Sequence, residues 1–204
     1  MQRKVVDWLC DLQSRRGILK AEERSLYKYA YRLLLSRILI YSIIVALGII
    51  TGNWLEMFSF LLPFVLLRQY AGGIHLKKFT SCIYASSFLV FVCGEYLATD
   101  LTMGISFWIV WFVSIVIIFL LSPVGTGSKK LSKLEKKVYG NRAKIILFIE
   151  VILALYFEVL GISMIFKGIM IAHIILACGL VLGSGNNFFT YRLDLTNKKQ
   201  EENE

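Results

Sequence analysis

Long apolar blocks alternate with short polar breaks along most of the chain. The blocks cover residues 33–53, 54–67, 79–99, 103–122, 144–166 and 168–183. Blocks of about 20 apolar residues are the lengths that cross a bilayer as helices. The second, 54–67, is short, holds Glu56 and Pro63, and reads as a tilted or re-entrant element. Residues 1–32 differ: Val5, Trp8, Leu9 and Leu12 recur at helical spacing, as do Leu26, Tyr29, Ala30 and Leu33, with Gly17 between the two sets. That pattern predicts two amphipathic helices, lying on the membrane surface or simply on the surface of the membrane domain. Residues 123–143 form a basic linker, and residues 184–204 a polar tail, frayed beyond Tyr191.

The expected class is therefore an all-α integral membrane protein of about six transmembrane helices. Its parts are an amphipathic interfacial region (1–32), a six-span membrane domain (33–183) that would hold any active site, and the tail (184–204). Composition agrees: 57% of the 204 residues are hydrophobic and the mean hydropathy is +0.65, above a typical soluble domain. The first 32 residues are charged and no A-x-A-like site follows an early apolar core, so no cleavable signal peptide is expected.

Charge sets the expected orientation. The chain has 23 Lys and Arg. Nine fall in residues 1–37, three in the break at 68–78, seven in 123–144, one at Lys167 and three in the tail. With six crossings and both termini inside, 22 of the 23 lie on the cytoplasmic side and only Lys167 outside. The net charge of +9 is thus accounted for by topology and lipid headgroups. No nucleic-acid motif accompanies it, and no nucleic-acid partner is expected. Cys10, Cys82, Cys93 and Cys178 show no CxxC or Cys/His metal spacing, so no metal or cofactor is expected. Cys10, Cys93 and Cys178 read as small buried residues or free thiols.

The break at 68–82, Arg-Gln-Tyr-Ala-Gly-Gly-Ile-His-Leu-Lys-Lys-Phe-Thr-Ser-Cys, carries the candidate chemistry. A thiol with an imidazole nearby can act as an activated nucleophile. On one continuous helix His75 and Cys82 would stand roughly 10 Å apart along the axis, too far for proton transfer. The pairing therefore needs an irregular path, which Gly72-Gly73 can start. Arg68, Lys77, Lys78 and a helix N-terminus near Cys82 would all favour the thiolate. By spacing alone, an unrelated loop histidine and a membrane-edge cysteine is the simpler account.

Other candidates are weaker. His173 and Cys178, five apart, face different sides of a helix and form no dyad; His173 reads as a packed, hydrogen-bonded side chain. Glu95 and Glu158 fit outer helix ends. Glu150 could pair with Arg68 or a linker lysine, or orient His75. Gly125-Thr-Gly-Ser-Lys129 lacks the phosphate-loop spacing.

The run Arg68-x-x-Ala71-Gly72-Gly73-x-His75 with Cys82 seven residues on resembles the signature of the accessory gene regulator B family. These are Gram-positive membrane endopeptidases that process quorum-sensing peptide precursors. Size, hydropathy layout and the Pro-containing basic linker from Leu121-Ser-Pro123 to Lys137 match as well. The resemblance implies a cysteine endopeptidase with His75 and Cys82 catalytic. It also implies a small peptide precursor as substrate, closed to a thiolactone or lactone, and an active site facing the cytoplasm of a multi-pass cell-membrane protein. Arg68, Gly72, Gly73, Lys77 and Lys78 flank that pair and are the substrate-binding candidates. Ile74 replaces the aromatic often found before the histidine, and the linker lacks the acid that often follows the proline. A homodimer is left open. The alternatives are a peptide transporter or export channel without chemistry, and a membrane receptor or scaffold.

Overall fold

A computed structural model describes residues 2–17, 19, 21–73, 79–99, 104–125 and 132–201. Seven α-helices account for nearly all of them: α1 (Gln2–Arg15), α2 (Arg24–Thr51), α3 (Trp54–Ala71), α4 (Phe79–Ala98), α5 (Ile105–Leu121), α6 (Lys133–Val159) and α7 (Ser163–Glu201). A short 3-10 turn, Ala21–Glu23, precedes α2. No strand occurs among the described residues.

α3 is the centre of the bundle. It buries Met57, Phe60, Leu61, Phe64, Leu67 and Ala71, and packs against α2, α4, α6 and α7. The main core joins it to Ile44 of α2, Val90, Cys93 and Leu97 of α4, Ile118 of α5, Ala143 and Leu147 of α6, and Leu176 and Leu180 of α7. Close helix approach inside a membrane depends on small residues. At Gly168 of α7 a Cβ would stand 2.6 Å from the backbone carbon of Ser59, so the α3–α7 crossing requires glycine there.

Large apolar side chains remain exposed all round the bundle, among them Ile50, Leu62, Phe88, Phe112, Leu120, Phe148 and Val159. Contiguous exposure on this scale belongs to a surface covered by lipid rather than water. Two helical stretches, Arg24–Thr51 and Ser163–Gly185, are long and apolar enough to cross a bilayer by themselves. Tyr84–Ala98 and Ile105–Leu121 are shorter apolar helices.

Several expected boundaries move. The second amphipathic stretch and the first apolar block form one 28-residue helix, α2, so there is no separate second surface helix. The short second block lengthens to 18 residues because Arg68, Gln69 and Tyr70 continue the helix to Ala71. Half of the basic linker is helical: Ser132 and Glu135 form a capping box that starts α6 at Lys133. The outer turn expected near Lys167 lies at Leu160–Ile162. There the N–H groups of Gly161 and Ile162 donate to the carbonyls of Glu158 and Phe157, each at 2.9 Å. Gly161 has φ +75°, so this is a Schellman stop, which glycine alone enters without strain. Lys167 falls inside α7. The tail is helical through Glu201 rather than frayed.

The amino-terminal hairpin is also rotated from expectation. Val6, Cys10 and Leu19 are buried against Tyr31 and Leu35, whereas Val5 and Trp8 face outward. Lys28 pairs with Asp7 at 2.6 Å and Arg24 pairs with Asp11. The Lys28 hydrogen bond, helped by its charge and those of Arg32 and Arg24, holds the Asp7 carboxyl below the usual carboxylate range.

Candidate active site

The candidate motif begins where α3 ends. Arg68, half-buried in the last turn, lays its guanidinium over the Phe64 ring at 5.3 Å. The helix stops at Gly72, whose N–H donates to the Arg68 carbonyl at 3.0 Å. Gly72 has φ 82° and ψ −144°, a conformation close to the region reserved for glycine.

A second constraint comes from far along the sequence. The Val124 N–H donates to the Ala71 carbonyl at 2.9 Å, and Gly72 and Val124 form an isolated parallel bridge. A Cβ on Gly72 would lie 2.1 Å from the Val124 carbonyl oxygen. Val124 follows the Ser122 cap of α5, and the neighbouring Pro123 rests on Gly140 of α6. Gly73 is buried, and a Cβ on it would stand 3.9 Å from the Gly179 backbone of α7. The chain thus enters the motif connection fixed to α3, α5, α6 and α7 together.

His75, Lys77 and Lys78 lie outside the described residues. The chain is described again from Phe79, and Cys82 belongs to the first turn of α4. Of the candidate site residues, then, Arg68, Gly72 and Gly73 meet at the end of α3, and Cys82 stands at the start of the next helix. Sequence inspection missed Val124. No side-chain pattern signals a backbone pairing across 52 positions, though the Ser-Pro that precedes it marks a helix stop.

Glu150 of α6 meets His173 of α7, Oε2 to Nε2 at 2.9 Å; His75, one of its expected partners, lies outside the described residues. The Trp111 indole N–H of α5 donates to His173 Nδ1 at 3.0 Å. An indole nitrogen only donates, so Nδ1 accepts and the ring hydrogen sits on Nε2, directed at Glu150. His173 is buried and hydrogen-bonded, as expected, and Cys178 is exposed, so the two form no dyad. Glu95 accepts from the Asn53 amide at 3.0 Å where α3 starts and α4 ends. Cys10 and Cys93 are buried free thiols. No cluster of potential metal ligands occurs among the described residues.

The family model for accessory gene regulator B matches residues 3–182. The chain belongs to that family. The match spans both the pinned glycine pair and the helix bearing Cys82, and it agrees with the lipid-type surface of the bundle. This accessory gene regulator B chain is therefore a membrane protein of the quorum-sensing system, involved in processing the peptide autoinducer. Comparisons with curated proteins and with solved structures find no match.

Proposed function

We propose that the protein is a membrane cysteine endopeptidase that cleaves a small peptide precursor and closes the retained part into a ring. His75 takes the Cys82 thiol proton, and the thiolate attacks the scissile carbonyl carbon. The C–N bond breaks, the leaving amine receives the proton from the imidazolium, and the acyl part stays on Cys82 as a thioester. An internal thiol of the precursor, or a hydroxyl, then attacks that carbonyl. A new thioester or ester forms, the bond to Cys82 breaks, and the thiolate is reprotonated. Thioester exchange is nearly isoenergetic, so ring closure to a thiolactone needs no nucleotide or other cofactor.

The observation that carries this reading is the frame around the motif in a chain of this family. A glycine pair pinned from several sides is joined by only five residues to a helix whose first turn holds Cys82. The N-terminal dipole of α4 favours a thiolate there. Gly72 closes against the Val124 carbonyl and so fixes where the connection starts, and Lys77 and Lys78 would attract an acidic precursor.

The active site faces the cytoplasm of a Gram-positive cell, with six crossings and both ends inside. The two ends of the bundle differ in charge as this requires. Arg68 and the basic start of α6 share one end with Gly72 and Val124. Asn53, Glu95 and Gly161 mark other helix ends, and the one cation near them in the sequence is Lys167. The test is cleavage of the precursor by the purified protein in lipid vesicles. Cys82→Ala and His75→Ala should each abolish it without loss of insertion, while the combined replacement of Cys10, Cys93 and Cys178 should not. Retained cleavage in Cys82→Ala would remove the assignment. Cysteine-accessibility scanning should reach Gly161 from outside and residues 124–142 only from inside; the reverse would overturn the topology.

A further inference from the structure

A cleft of about 190 Å³ opens between α2, α3 and α4, lined among others by Ile44, Leu61, Phe64, Arg68, Ser86 and Val90. By the same measure a single water needs only about 10–15 Å³, so the space suits peptide side chains. Its position is informative. Ser86 and Val90 lie four and eight residues after Cys82 in α4, so positions 82, 86 and 90 form one stripe of that helix. The Cys82 position stands one turn, about 6 Å, before Ser86 along the axis. The cleft therefore runs along the stripe that starts at the proposed nucleophile. The lining is apolar except for Ser86, Tyr41 and Arg68, and Arg68 brings its positive charge to the end where α3 meets the motif.

We propose that this cleft is the pocket for an apolar side chain on the acyl side of the bond attacked at Cys82, with Arg68 binding a carboxylate of the same peptide. The inference rests on the cysteine endopeptidase reading and deepens it. The acyl part must be held through both cleavage and ring closure, whereas the leaving part departs after the first step. A pocket on the acyl side serves both steps. The apolar wall selects a Leu- or Phe-like residue, because a polar side chain would lose its water there without a full set of partners. A guanidinium held over Phe64 can bind a carboxylate with its planar fork.

The test uses the full-length protein in vesicles and N-acetylated peptide chloromethyl ketones, which alkylate a thiolate with loss of chloride. Labelling of Cys82 is followed by mass spectrometry, with iodoacetamide as the small reference reagent. A reagent with Leu or Phe beside the warhead should label at least about tenfold faster than one with Asn. Asp at the preceding position should gain about threefold over Asn, and Arg68→Gln should remove that gain. Val90→Trp, which fills the cleft, should abolish the Leu preference while iodoacetamide still labels. Leu61→Ala enlarges the same cleft without bulk and should shift preference from Leu toward Trp. Equal rates for the Leu and Asn reagents, with Cys82 still labelled by iodoacetamide, would overturn the pocket and leave the endopeptidase reading standing. Precursor cleavage that persists in Cys82→Ala would instead remove the underlying reading. Photoactivatable phosphatidylglycerol that crosslinks to the cleft and is not displaced by the Leu reagent would make it a lipid site and also overturn the proposal.

Discussion

Replacing Gly72 by alanine tests whether the pinned turn positions the proposed catalytic segment. The new methyl carbon would sit 2.1 Å from the Val124 carbonyl oxygen, a backbone atom that cannot rotate away. The φ of +82° adds a second penalty. A non-glycine residue in such a conformation costs on the order of 1–3 kcal/mol. Relieving the overlap by separating the two segments forfeits the Val124 to Ala71 hydrogen bond, about 0.5–1.5 kcal/mol net. Together they disfavour the pinned turn by roughly 2–4 kcal/mol. If only molecules with this turn intact are competent, precursor cleavage should fall about 30- to 900-fold. The global fold should survive, because the apolar core formed by α3, α4, α6 and α7 does not include Gly72. The assay is the cleavage rate in vesicles, read beside thermal unfolding in detergent and iodoacetamide labelling of Cys82. A variant that cleaves within about twofold of wild type would refute the positioning role. A variant that unfolds would show that the bridge supports the whole bundle instead.

Three other outcomes are expected. Trp111→Phe leaves His173 Nδ1 buried without its donor, and should cost about 1–3 kcal/mol of stability in detergent unfolding; an unchanged midpoint would mean that the indole bond contributes nothing. Gly168→Leu forces a side chain into the Ser59 backbone and should separate α3 from α7, lowering stability by at least about 1–3 kcal/mol; pairs of cysteines placed across that crossing should lose their crosslink. The Asp7 carboxyl is held below its usual value by Lys28. Its contribution to the α1–α2 hairpin is therefore complete above the ordinary carboxylate pKa and is lost as pH falls through the lower folded value. The protection of α1 amides against hydrogen exchange, corrected for the intrinsic pH dependence of exchange, should fall in that acidic window, and Asp7→Asn should lower it at neutral pH and lose the pH step.

Much of the fold was legible because bilayers impose long apolar blocks with charges at their edges. α4 and α5 follow those blocks closely. The errors arose where the boundary was drawn at a charge and the backbone obeyed a cap. Lys167 looked like a turn, but Gly161 with its Schellman bonds is the stop. Ser132 and Glu135 carry a capping box that could have been read directly, and the basic residues around them hid it. The rotation of α1 was not readable, since Val6 and Cys10 compete with Val5 and Trp8 for the same neighbour. At the candidate site, the glycine pair and Cys82 stood out by residue type. The Val124 bridge did not, because it uses only backbone atoms. Glu150 was visible as a costly buried acid, but its partner lay on a helix whose facing could not be known before packing.

The central claim is that Cys82 carries the acyl part of the precursor as a thioester. Incubating the vesicle-bound protein with its precursor, quenching in acid and measuring the intact mass tests it most directly. The account predicts a mass increase equal to the retained fragment, located on Cys82, removed by hydroxylamine, and accompanied by release of one carboxy-terminal fragment per adduct. The Cys82→Ala protein should show neither adduct nor fragment. Cleavage without any adduct on Cys82, or cleavage that continues in Cys82→Ala, would contradict it.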